Sequence, residues 1–202
     1  MIKNWFLNHA IKMVKKYYPH YDDTKIEQLR YGLEGIYLTI SKLIIIFLFA
    51  IYLGIFIEVL WLTLLFNIIR LPSFGVHASR SSICLIASSL IFLGVPLILK
   101  HIVFTPFWKY SICLICLISF ILYAPADTPK RPIISPVRRK KLKILSVIVA
   151  ILFIIKALTT SNIFMANNFL AATMVQAIMI MPITYKLFKQ SYNNYQYFKK
   201  SS

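Results

Sequence analysis

The sequence predicts an all-α, polytopic membrane protein with about six transmembrane helices and an amphipathic helix lying at the membrane interface before them. Three observations carry that class. Of 202 residues, 59% are hydrophobic and 14% charged, with a mean hydropathy of +0.72. A soluble domain is about half apolar and about a quarter charged. The apolar residues gather in long runs separated by short basic connections. The length accommodates about six spans of roughly 20 residues each and no soluble domain besides, so residues 1–202 read as one integral membrane domain.

Residues 1–20 place Ile2, Trp5, Phe6, Leu7, Ile11, Met13 and Val14 among Lys3, Lys12, Lys15 and Lys16. That pattern suits a basic helix in the interface plane, ended near Pro19. Met1 to Tyr21 lacks a compact apolar core and a small-residue cleavage site, so no removable signal peptide is expected. Asp23 or Thr24 can cap the next helix. A first span is expected over about 35–57, with Glu58 at its end. The run 58–69 is short, and so is either a crossing with extended ends or re-entrant. Further spans are expected over about 83–99, 107–123, 144–158 and 163–187. Between the fourth and fifth lies a basic loop, 124–143, whose four prolines from Pro125 to Pro136 block helix continuation.

Lys and Arg number 23 against six acids, a net charge of +17. These charges sit between apolar spans, which points to topology and anionic lipid rather than nucleic acid. With six crossings and cytoplasmic termini, the inner loops collect 20 of the 23 cations, leaving Lys100, Lys109 and Lys156 outside. The connection 70–82 then faces the cytoplasm.

That connection and the helix start after it hold the one place where a nucleophile and a base can be assembled, GVHASRSSIC, with His77 and Cys84. A cysteine attacks as its thiolate, and a helix start near Ser79 or Ser81 together with Arg80 would supply a positive field. His77 can act as general base and return the proton to a leaving amine. On one straight helix, residues seven apart are separated by about 10.5 Å along the axis. His77 must therefore fold back over the helix start, and Pro72 and Gly75 supply the stop and the freedom for it. Cys113 and Cys116 form a C-x-x-C inside an apolar span, where inert thiols are expected. No metal or other cofactor is called for.

GVHASRSSIC followed about forty residues later by APADTPKRPI resembles the accessory gene regulator protein B family (AgrB), and the resemblance extends over nearly the whole chain. It departs slightly at Ser73-Phe74, where many relatives carry another small residue beside the glycine. The resemblance implies a membrane cysteine endopeptidase with His77 and Cys84 as the catalytic pair. Its substrate would be an AgrD-like quorum-sensing propeptide, held as a thioester after its C-terminal tail is cut, then released by thiolactone or lactone closure. A homodimer is also implied. Asp127, Glu34 and Ser81 are alternatives for a third, orienting group, with Asn67 as a further hydrogen-bonding candidate. Asp127 can equally cap its own loop through the Thr128-Pro129 turn. An acidic peptide tail would meet Arg70, Arg80, Lys130, Arg131, Arg138, Arg139, Lys140 and Lys141. The rival reading is a small membrane transporter or exporter. Such a protein should show ionisable residues at mid-membrane or internal repeats, and Lys42, Glu58 and Lys156 lie towards span ends with no repeat apparent.

Overall fold

The computed structural model describes residues 2–76, 81–102, 104–129 and 132–196, and among these the regular structure is α-helical. Eight helices follow in order: α1 (Ile2–Tyr17), α2 (Asp23–Tyr52), α3 (Phe56–Ser73), α4 (Ser81–Leu99), α5 (Pro106–Tyr123), α6 (Pro136–Thr159), α7 (Ile163–Ile180) and α8 (Pro182–Leu187). Two compact units divide the chain, Met1–Leu48 and Phe49–Ser202.

The first unit pairs α1 with the greater part of α2. Leu7 is buried, Phe6 meets Tyr37 with ring centroids 5.5 Å apart, and Lys3 Nζ lies 2.6 Å from Glu34 Oε1. Trp5 stays 69% exposed, as an interfacial aromatic on a basic helix would. The cap of α2 differs from expectation: Asp22, not Asp23 or Thr24, accepts the Lys25 N–H at 3.0 Å. Asp22 stands just outside the first helical residue, which is where a side-chain acceptor reaches the third N–H.

In the second unit, α7 is the central helix, packed on α3, α5 and α6. Its buried face carries Ala166, Ala171, Ala172 and Ala177, small residues that let neighbouring backbones approach without a hydrophobic driving force. Cys113 of α5, Ala157 of α6 and Leu170 of α7 meet in one apolar cluster. Edge-to-face pairs, Phe153 with Phe169 and Phe66 with Phe92, join α6 to α7 and α3 to α4. Outward positions such as Leu90, Leu114 and Leu152 are exposed aliphatics, the surface that hydrocarbon rather than water requires.

Five helices, α2, α3, α5, α6 and α7, are long and apolar enough to cross a membrane, and a shorter apolar stretch, Ile83–Leu99, lies within α4. The protein is thus an all-α, multi-pass membrane protein, with six apolar helices where six were expected. Four boundaries shift. The first span ends at Tyr52, because Gly54 adopts φ 65°, the Ile55 N–H reaches back to Ala50 O, and the Gly54 N–H reaches Ile51 O. This is the glycine stop that closes a helix through its orphan carbonyls. The short second run gains from it: α3 starts at Phe56, and its 18 residues extend about 27 Å at the usual rise. The run to Leu187 breaks at Met181, with Pro182 opening α8. The expected loop 124–143 is likewise shorter, since Ser135 accepts the Arg138 N–H and α6 begins at Pro136.

Candidate active site

Cys84 is the fourth residue of α4, half-buried and a thiol rather than a disulfide partner. The first four N–H groups of a helix have no partner within it, so the sulfur stands at the positive end of the helix dipole. Arg70, in the last turn of α3, lies within Coulombic range of Cys84 and of Tyr185. Its guanidinium rests 5.3 Å from the Phe66 ring centroid and donates through Nη2 to Val76 O at 2.8 Å. His77, Arg80, Lys130 and Arg131 fall outside the described residues, and of Ser81 only the backbone is described.

The segment that leads into position 77 is held from three sides. Ser73 Oγ donates to Ile69 O and accepts from Gln176 Nε2 at 2.7 Å, while the same Nε2 donates to Phe74 O at 2.6 Å. Phe74 and Gly75 both take positive φ, 59° and 121°. The Gly75 N–H donates to Ala126 O at 2.9 Å, and the Ala126 N–H returns to Ser73 O at 3.0 Å, forming a parallel bridge between Phe74 and Ala126. On the other side the Val76 N–H donates to Met179 O at 3.0 Å. A Cβ on Gly75 would lie 3.1 Å from that same carbonyl, so α7 passes too close for a side chain there.

Asp127 anchors the segment that carries Ala126 and is 1% exposed. Its Oδ1 accepts the Asn194 N–H at 3.0 Å. Its Oδ2 accepts from Tyr195 N at 2.9 Å and from Ile133 N at 3.3 Å, with Arg139 Nη1 at 3.7 Å. Arg139 also stacks 3.7 Å over the Tyr195 ring centroid. Beneath the loop, the Tyr185 hydroxyl sits 2.9 Å from Ala126 O and 3.0 Å from Asp127 O. Burial pushes the Tyr185 phenol well above the ordinary tyrosine range, opposed by nearby Arg70. The Tyr192 phenol is raised for the same reason.

The structure therefore leaves Cys84 within Coulombic range of Arg70 and ties Asp127 and Arg139 to each other. Glu34 belongs to the first unit, paired with Lys3, and Asn67 Nδ2 is spent on Thr63 O at 2.8 Å. Arg138, Lys140 and Lys141 are exposed along the first turns of α6. Three residues escaped the sequence reading: Gln176, Tyr185 and Asn194. Gln176 carried a signal, being an amide in an otherwise apolar span, where polar groups mark function or tight packing. It is fully buried, and its Oε1 has no hydrogen-bond partner among the described residues.

The sequence model of a family described as accessory gene regulator B matches residues 7–180, which stops short of Tyr185 and Asn194. A putative AgrB-like protein of Clostridium acetobutylicum is 30% identical over 96% of this chain and 90% of its own length. One from Listeria monocytogenes (strain EGD-e) is 29% identical over 87% of this chain and 86% of its own. The accessory gene regulator protein B of Staphylococcus aureus (strain RF122) is 34% identical over 80% of this chain and 86% of its own. No solved structure matches the chain. The chain belongs to the accessory gene regulator B family.

Proposed function

We infer that the chain serves quorum sensing as a membrane cysteine endopeptidase that removes the C-terminal tail of an AgrD-like propeptide and promotes ring closure. The observation that carries this reading is the placement of Cys84 in the first turn of α4, within Coulombic range of the Arg70 guanidinium. The hydrogen-bonded turn 73–76 leads directly into position 77, the base of the proposed pair.

In the mechanism, the Cys84 thiol passes its proton to His77 as sulfur bonds to the scissile carbonyl carbon. The tetrahedral oxyanion collapses, the C–N bond breaks, and His77 returns the proton to the departing amine of the tail. An internal peptide thiol or hydroxyl then attacks the thioester carbonyl, giving its proton to His77. Cys84 leaves as thiolate and is reprotonated, which closes a thiolactone or lactone. Water must be kept from the thioester, and a half-buried cysteine beside apolar spans provides that shielding. Arg70 is suited to the developing oxyanion, since it is held in place by Val76 O and the Phe66 ring rather than swinging freely.

The exposed Arg138, Lys140 and Lys141 form a basic surface for an acidic tail and for anionic lipid, and Arg80, Lys130 and Arg131, outside the described residues, are assigned the same role from the sequence. Asp127 and Arg139 serve this surface by fixing the loop between them. Of the groups considered for orienting His77, Asp127 has its carboxylate filled by backbone donors, which leaves Ser81 as the orienting group nearest in sequence. The pair acts at the cytoplasmic face, both termini are cytoplasmic, and the working unit is a homodimer.

The test is co-expression with a tagged AgrD-type propeptide and mass analysis of the peptide. Wild type should release the tail, and Cys84→Ala should leave the propeptide at full mass. Equal release by both would sink the peptidase and favour an exporter without proteolytic activity.

A further inference from the structure

The hydrogen bonds that fix the catalytic turn do not end at α7; they run on into residues 182–196, beyond the stretch that the family model matches. Tyr185 OH holds Ala126 O and Asp127 O. Asn194 Nδ2 reaches Asp127 O at 3.4 Å and Ser191 O at 2.9 Å. The backbone N–H groups of Asn194 and Tyr195 fill the Asp127 carboxylate. Ala126, gripped in this way, exchanges two backbone hydrogen bonds with Ser73 and Gly75. The C-terminal segment thus bears on the turn that enters position 77 through one intermediate segment, Ala126–Asp127.

We propose that residues 182–196 form a positioning strap for the catalytic turn, with Tyr185 and Asn194 as its positioning residues and Asp127 as the peg they close on. The proposal rests on the peptidase reading of Cys84. The physical case is one of directness. Tyr185 is completely buried, and its hydroxyl is the side-chain donor aimed at both loop carbonyls. Without it, Ala126 O keeps the Gly75 N–H and Asp127 O keeps the Asn194 amide, so the loop persists but loses its floor. A displacement of about 1 Å in a catalytic constellation costs up to about a hundredfold in rate. Neither residue touches substrate, and the strap's effect is on the turnover step.

Wild type, Tyr185→Phe, Asn194→Ala and Cys84→Ala are reconstituted as full-length protein in proteoliposomes with a tagged AgrD-type propeptide. Intact protein is counted by its monodisperse peak in size-exclusion chromatography. Tyr185→Phe and Asn194→Ala should each lower kcat per intact protein by about tenfold or more with KM within about twofold. A clamp that only supports the fold would reduce the intact fraction and leave kcat per intact protein unchanged. That result, in both variants, overturns the strap while Cys84-dependent release keeps the peptidase. Equal release by wild type and Cys84→Ala overturns the peptidase reading and the strap with it.

Discussion

Gly75 shows how much of the site rests on single positions. Its φ of 121° lies where an L side chain is strained, and such backbone costs of order 1–3 kcal/mol for a non-glycine residue. The carbonyl that a new methyl would press, Met179 O at 3.1 Å, is the acceptor for the Val76 N–H, so relief of the clash breaks the bond that seats the turn on α7. Gly75→Ala should therefore lower the thermal midpoint of the detergent-solubilised protein, by the equivalent of about 1–3 kcal/mol, and abolish tail release. An unchanged midpoint with full activity would show that the turn adjusts freely. Glycine before histidine was visible in the sequence, and so was the need for backbone freedom there. The reason for it was not visible, because the obstacle comes from a carbonyl on α7, 104 positions away in the chain.

At the scale of elements, the spans were legible because hydrocarbon demands long apolar runs, and their ends were less so. Gly54 stops α2 through hydrogen bonds to Ala50 and Ile51, a local signal that the continuous hydropathy across 35–57 conceals. Pro182 splits off α8 although Ile183 and Leu187 keep the stretch apolar. That break turns Tyr185 inward, where hydropathy alone had assigned it to a span. The consequence is testable by pH. Tyr185 and Tyr192 are both raised by burial above the ordinary value of 10.0, so the folded protein holds these protons more tightly than the unfolded chain. Their contribution is complete below about pH 10 and is lost as pH climbs towards the folded values. Thermal midpoints measured from pH 7 to 11 should hold and then fall above 10. A Tyr185→Phe/Tyr192→Phe protein should show a shallower fall above pH 10, whatever its absolute midpoint. Parallel curves for the two proteins would mean that neither phenol is differentially protonated.

Across the second unit as a whole, the polar contacts divide between two ends of the bundle. At one end Lys100 reaches Gly54 O and Glu58, and Asn167 reaches Leu99 O and Ile102 O. At the other lie Arg70, Cys84, the bridge between Phe74 and Ala126, Tyr185 and the start of α6. The site end carries Arg70, Arg138, Arg139, Lys140, Lys141, Lys143, Lys186 and Lys189, whereas the opposite end has Lys100, Lys109 and Lys156. Cations in short loops near span ends set orientation, and the richer side stays in the cytoplasm. In the proposed orientation the richer end faces the cytoplasm, and the thiol then lies on the side where a newly made propeptide would arrive. Single cysteines can be introduced one at a time in a background lacking Cys84, Cys113 and Cys116. An impermeant maleimide should label Lys109→Cys and Lys156→Cys in intact cells, and Lys140→Cys and position 77 only in inside-out vesicles. Labelling of Lys140→Cys from outside intact cells would invert the bundle and place the thiol on the wrong face to meet a cytoplasmic substrate.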